Sequence, residues 1–503
     1  MKAKTAKIHN VNMACAWGTE PAMRMMVSLG AERVSVPSGI VTDSAPTSSR
    51  TYLVVIIFLM VMGLAALCAP AAEERPVRLI TLDPGHFHAA LVQKTMYPQV
   101  DPVVHVYAPA GPELQAHLAL IQGYNARADQ PTRWEERVYA GADFLDRLVA
   151  ERAGNVVVLA GNNAKKTAYI ARSVDAGFHV LADKPMAITA GDFDLLTNAL
   201  TRAAAKNVLL YDIMTERYEI STLLQRELAD CPAVYGAQER GTPDDPAVTK
   251  ESVHHFSKLV SGQPLQRPPW FFDTAQQGEG IVDVTMHLVD LIQWECFPGR
   301  TLALGDVRML QARRWATTIT PAEFAQVTRQ TGWPDYLKKD VGPDGNLHVM
   351  ANGEMIYALR GVHAKVVVVW SFEAPPGGGD THYSLMRGTG AALIIRQGRE
   401  QQFKPMLYVE KRGGRTDAEF EDALRSALPR LRVTWPGLGL EKIKAGTWNI
   451  LIPETLRVGH EAHFAQVTQN FLRYLAQGRL PEWEVPNMIV KYYTTTRAWQ
   501  MSR

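Results

Sequence analysis

Gly177-Phe-His-Val-Leu-Ala-Asp-Lys-Pro-Met-Ala-Ile-Thr189 is the stretch that decides the fold. Val180 and Leu181 read as the middle of a buried strand, and the apolar run stops abruptly at Asp183-Lys184-Pro185. Proline cannot donate a ladder hydrogen bond and disfavours helix at the residue before it. The chain is therefore expected to turn at the strand's carboxyl end, with Lys184 held where parallel sheets place their ligands. Alone, the tripeptide fits a surface lysine at a strand end equally well. Its neighbours decide.

Upstream, Asn155-Val-Val-Val-Leu-Ala160 is a near-continuous apolar run, the mark of a strand covered on both faces. Gly161-Asn162-Asn163 reads as a turn, 164–176 as a helix, and Gly177 as the glycine just past its end. Downstream come a second helix over about 192–206 and a strand at Val208-Leu-Leu-Tyr-Asp212. Strands alternating with helices of this length predict a parallel, doubly wound sheet. With lysine-proline at the strand end, the segment resembles the nucleotide-binding half of the Gfo/Idh/MocA oxidoreductases. In that family the lysine of a Glu-Lys-Pro signature lies beside the nicotinamide and the substrate; here Asp183 replaces the glutamate, while Lys184 and Pro185 match. The resemblance implies a Rossmann-type domain at about 76–213. An α+β domain with an open, mostly antiparallel sheet is expected over 214–503.

Further on, Gly278-Glu-Gly-Ile-Val-Asp-Val-Thr-Met-His-Leu-Val-Asp290 looks like the family's glycine-rich lead into a helix. Asp283, His287 and Asp290 fall at i, i+4 and i+7, so an ideal helix would put them on one face. Val284, Leu288, Leu291 and Ile292 form the apolar stripe. A carboxylate one turn from an imidazole can orient it and raise its pKa for acid/base work at a hydroxyl. The plainer alternative is an amphipathic helix with its polar face in water.

The first strand, Val77-Arg-Leu-Ile-Thr-Leu82, leads into Asp83-Pro-Gly-His-Phe-His-Ala-Ala90. A dinucleotide fingerprint wants Gly-x-Gly-x-x-Gly at this place. Asp83 holds the first glycine position, Gly85 the second and His88 the third. The next strand, Val103-Val-His-Val-Tyr-Ala108, ends in Ala108-Pro109 where an acidic residue would hold a ribose. Two readings stay open. In one, an unusual NAD or NADP site uses Gly85, His86, His88, Asn162, Lys184 and Pro185, with the histidines on phosphates and the helix from Ala89 offering its N-terminus. In the other, the scaffold has lost its cofactor. No residue is assigned to a metal.

The second half offers further candidates. Val234 to Arg240 reads as a strand, and 264–272 as a loop presenting Trp270-Phe-Phe272 over the site. Strands are expected at 354–359, 364–372 and 391–395, and closing helices near 460–476 and 483–503. Gly377-Gly-Gly-Asp-Thr-His-Tyr-Ser384 and Met386-Arg-Gly-Thr-Gly390 predict turns, from which His382 and Arg387 could reach substrate hydroxyls. With Asp290 and Trp270 they complete the expected substrate set.

The 503 residues carry 47% hydrophobic and 21% charged residues with a net charge of +2, a balance that excludes a nucleic-acid surface. Cys15, Cys68, Cys231 and Cys296 lack metal-ligand spacing. Leu53 to Leu67 is an apolar run preceded by Arg50 and followed by Ala69-Pro70-Ala71. That is the anatomy of a signal peptide over about 41–71, cut after about Ala71, and it implies a periplasmic protein. The run is shorter than the ~20 residues a spanning helix needs, so an uncleaved membrane anchor is the lesser alternative.

The resemblance implies an exported NAD(P)-dependent oxidoreductase acting on a carbohydrate or polyol hydroxyl. His287 would be the acid/base, Lys184 would polarise the reacting oxygen, and Asp283 would orient the histidine. Two alternatives stand beside it: redox-neutral glycoside cleavage with a retained cofactor, and a non-catalytic sugar-binding scaffold. Self-association through the C-terminal sheet is a further expectation.

Overall fold

β1 (Leu79–Leu82), β4 (Val156–Leu159) and β6 (Leu210–Ile213) are buried along their whole lengths, as strands covered on both faces must be. With β2 (Val103–Ala108), β3 (Glu135–Ala140) and β5 (His179–Asp183) they form a parallel sheet in the order β3-β2-β1-β4-β5-β6. The order reverses between β1 and β4, which opens a crevice at their carboxyl ends. These observations come from a computed structural model that describes residues 77–503 apart from 261–262. The apolar run at 53–67, the expected cleavage site near Ala71, Cys15 and Cys68 lie outside the described residues. Among the described residues no helix is long and apolar enough to cross a membrane.

Local chemistry sets each element's limits. Asn162 caps the Asn163–Asp175 helix by accepting from Ala164 N–H, and Gly177 follows that helix at φ 81°. Thr189 and Asp192 form a reciprocal capping box at the start of the Ala190–Ala205 helix. The helix expected from Ala89 is a single turn, His88–Leu91.

The second sheet contains β7 (Val248–Ser257), β10 (Val307–Ile319), β11 (Leu347–Leu359), β12 (Val362–Glu373), β13 (Thr381–Arg387), β14 (Ala391–Gln397), β15 (Met406–Lys411), β16 (Gly439–Lys444) and β17 (Thr447–Leu451). A two-strand hairpin of β8 (Leu259–Val260) and β9 (Gln263–Pro264) stands apart. The large sheet is open and runs β10-β11-β12-β7-β13-β14-β15-β17-β16, antiparallel except for the β12–β7 pair. The strand expected at Val234 is instead a turn of helix, Pro232–Tyr235, because Pro232 starts a helical turn and Gly236 at φ 75° ends it.

The C-terminal helix, Glu484–Met501, ties the two sheets together. Its Tyr492 hydroxyl donates to Asp212 at 3.2 Å and accepts from Met186 N–H at 3.1 Å. Its Lys491, fully buried, lies 2.6 Å from Asp212 and 2.8 Å from Asp290. Met186 directly follows Lys184-Pro185, so the last helix fixes the backbone that presents the lysine.

Candidate active site

Lys184 leaves β5 at its carboxyl end, through a cis peptide to Pro185. Its ammonium donates to Asp283 Oδ1 at 2.7 Å, and Asp283 Oδ2 accepts from Gln277 Nε2 at 3.0 Å. Burial alone would push the Lys184 pKa down, but Asp283 and then Asp183 hold it above its ordinary value. The lysine is a fixed cation.

Asp283 reaches this place because the glycine-rich lead lies against β11. Gly280 N–H donates to Met350 O at 3.0 Å, and a Cβ on Gly280 would fall 1.7 Å from the Ala351 carbonyl oxygen. Only glycine passes so close to another backbone. The helix proper starts at Thr285, so Asp283 precedes it and His287 sits in its first turn. Asp283 therefore orients Lys184; no hydrogen bond joins it to the histidine.

His287 Nδ1 is buried and has no hydrogen-bond partner among the described residues. Burial, then the Lys184 ammonium, lower its pKa well below the usual histidine value. The ring stands in the cavity wall uncharged, the form that can accept a proton.

Lys184, Asp283 and His287 line one wall of a cavity of about 1050 Å³. Across it, Asp380 accepts from His254 Nδ1 at 3.1 Å, His255 Nδ1 at 3.1 Å and Lys258 Nζ at 2.5 Å. Burial would raise the Asp380 pKa, but the two histidine hydrogen bonds hold it well below the carboxylate range. This group was missed in the sequence. Asp380 lies inside the glycine-rich segment that pointed to His382, and His254-His255 stands on β7 with no motif around it. His382 does line the cavity, its pKa lowered to about 3 by burial.

Three expected residues lie elsewhere. Asp290, 1% exposed, receives two hydrogen bonds from Arg217 at 2.6 and 2.7 Å and one from Lys491 at 2.8 Å. It belongs to the buried network under the C-terminal helix. Arg387 pairs with Asp245 at 2.6 Å and stays outside the cleft. Trp270 is buried, and its ring is the nearest neighbour a Cβ on Gly85 would meet, at 3.3 Å. It roofs the crevice between β1 and β4.

Comparison with known proteins fixes the family. The model described as "Putative oxidoreductase C terminal domain" matches residues 224–503. A crystal structure of a "putative oxidoreductase" from Parabacteroides merdae shares 54% identity, covers 85% of this chain and 98% of that chain, and superposes with a TM-score of 0.83. The chain belongs to the Gfo/Idh/MocA oxidoreductases. No curated protein matches it. Levoglucosan dehydrogenase in its apo form has 13% identity, a TM-score of 0.56, and covers 85% of this chain and 97% of that chain. A 3-ketoreductase from Actinomadura kijaniata, solved with NADP and TDP-benzene, has 12% identity, a TM-score of 0.50, and covers 84% and 96%. At those identities they share the fold alone.

In this Gfo/Idh/MocA enzyme the fingerprint loop is rebuilt. Asp83 adopts φ 44° in the first glycine's place. Its carboxylate is not bare: it accepts from the Tyr169 hydroxyl at 2.9 Å and from Lys165 at 3.4 Å, which quenches the charge a diphosphate would meet. Gly85 lies close to its neighbours, since a Cβ there would meet Trp270 at 3.3 Å and Gly161 Cα at 3.4 Å. His86 N–H is spent on the Ala160 carbonyl at 3.2 Å. His88, at the third glycine position, is 8% exposed and turns inward, its Nδ1 2.9 Å from Asp183 Oδ2. The histidines therefore face the cavity and each other, not a diphosphate at the loop's outer side.

Glu216, also in the cavity wall, has a carboxyl pushed up to about 7 by burial and then by Glu219. A folded-state pKa raised above 4.5 means stability is fully present below that value and lost as pH rises through about 7. Glu216→Gln should remove this loss, so the variant should gain about 2 kcal/mol on wild type between about pH 5 and about pH 8. Urea denaturation at the two pH values checks it; equal slopes with pH for both proteins would contradict it.

Proposed function

We propose that the enzyme oxidises or reduces a hydroxyl-bearing carbon of a carbohydrate or polyol, with a nicotinamide dinucleotide as hydride partner. The observation that carries this reading is the Lys184–Asp283 contact at 2.7 Å together with the uncharged His287 ring, in the wall of one large cavity. The family supports it, as do the dehydrogenase and the NADP-bound ketoreductase that share the fold.

A dinucleotide fits the inner end of the crevice and the loop end in part. Lys184 and Pro185 would hold the nicotinamide end, Gly85 and the Asn162-capped helix start the diphosphate. When bound, the nicotinamide supplies the hydride acceptor or donor. The chain's own residues do the rest. His287, uncharged, takes the hydroxyl proton as the C–H bond breaks, and returns it in the reverse direction. Lys184 donates a hydrogen bond to the same oxygen and offsets the negative charge that develops there. Asp283 keeps the ammonium aimed, and Asp380 with His254 offers acceptors and donors to the remaining hydroxyls across the cavity.

Ala108 stands where a carboxylate would bind the ribose and repel a 2′-phosphate, so NAD and NADP should both be accepted. Either, at about 100 times its Kd, should stabilise the native state by roughly 2.7 kcal/mol. Differential scanning calorimetry on the full chain, with nucleotide content measured after denaturation, tests this. A nucleotide-free protein whose Tm moves with neither dinucleotide would overturn the cofactor and leave the scaffold reading.

A further inference from the structure

We propose that His86, His88 and Asp183 bind one divalent transition-metal ion on the inner wall of the cavity. Each offers a ligand atom, and the three atoms lie within 4.8 Å of one another. His88 Nδ1 and Asp183 Oδ2 are already 2.9 Å apart. Two ligands at about 2.1 Å from a common ion stand roughly 3 Å apart at a right angle and about 3.4 Å apart at the tetrahedral angle, so this pair needs a shift of at most about half an ångström. His86 is half-buried and faces the cavity, so rotation of its side chain closes the remaining distance.

Asp183 is 4% exposed, and His88 is its one side-chain hydrogen-bond partner among the described residues, with the Lys184 and Lys166 ammoniums acting on it from farther off. A buried carboxylate is ordinarily paired with a cation or bound to a metal. The neutral imidazole is the form that ligates. Of the two nearby ammoniums, Lys184 is already offset by Asp283 at 2.7 Å, and Lys166 is turned to Asn163 Oδ1 at 2.6 Å and the Lys184 carbonyl at 3.3 Å.

Two imidazoles and one carboxylate select zinc, iron(II) or a metal like them over magnesium and calcium, which take oxygen ligands. The His460 ring, its centroid 5.6 Å from that of His88, stands within reach as a further donor. His86 and His88 line the cavity beside Lys184, where a hydroxyl pair of a polyol could enter. The His-x-His at 86 and 88 thus has a use that phosphate contact does not give it.

The test uses the full chain, purified without a histidine tag and dialysed against a chelator. Titration with Zn²⁺ should show one ion per chain. Co²⁺ should give visible d–d absorption that Zn²⁺ abolishes. His86→Ala, on the half-buried residue least needed for folding, should weaken Zn²⁺ binding by about 100-fold or more, and Asp183→Asn should do the same. His348→Ala, a histidine outside the cavity, should change neither signal. Failure to take up stoichiometric Zn²⁺, or uptake indifferent to His86→Ala and Asp183→Asn, would overturn the site. Metal uptake is read without turnover, so it stands or falls apart from the proposed reaction.

Discussion

His287→Ala is expected to lower turnover by about 10² to 10⁴-fold, the range general acid–base catalysis contributes, while leaving the Tm close to wild type. Among the described residues its Nδ1 makes no hydrogen bond, so its removal strands no partner there, and the space it leaves adjoins the cavity. Lys184→Ala should cost turnover as severely, but with a loss of stability, because Asp283 would stay 4% exposed without its cation. Steady-state kinetics with a thermal melt on the same sample separates the two effects. A His287→Ala enzyme with ordinary kcat/KM would remove the histidine from the reaction.

Three residues further along the same helix the outcome reverses. Asp290→Ala should destabilise the fold by about 3–5 kcal/mol, since Arg217 and the fully buried Lys491 would lose their shared carboxylate. Glu484 and Asp212 would keep one contact to each cation, which places the effect within that range and not above it. Denaturant unfolding measures it directly. A variant as stable as wild type but inactive would return Asp290 to the substrate site, where helical spacing alone had put it.

That contrast shows what the sequence carries. The Lys184 strand was legible because β5 is buried on both faces and ends in a proline, both local signals. The open antiparallel sheet was legible from its alternating strands. Asp290 was not, because the i+7 spacing assumed a helix through Asp283, whereas the helix begins at Thr285. Its true partners lie 73 and 201 residues away, beyond any periodicity. Arg387 failed for the same reason, its partner Asp245 being 142 residues off. His86 and His88 were visible as an oddity in a glycine-poor fingerprint. Their convergence on Asp183, 95 residues from His88, only the folded sheet could show.

The measurement that tests the central assignment most directly is a crystal structure of the full chain grown with NAD or NADP and soaked with a polyol it turns over. The assignment of Lys184, Asp283 and His287 as the reacting centre requires a substrate hydroxyl oxygen within hydrogen-bond distance, about 2.6–3.2 Å, of both Lys184 Nζ and a His287 ring nitrogen. Polyol density seated elsewhere, with Lys184 still closed on Asp283 and His287 out of reach, would contradict it.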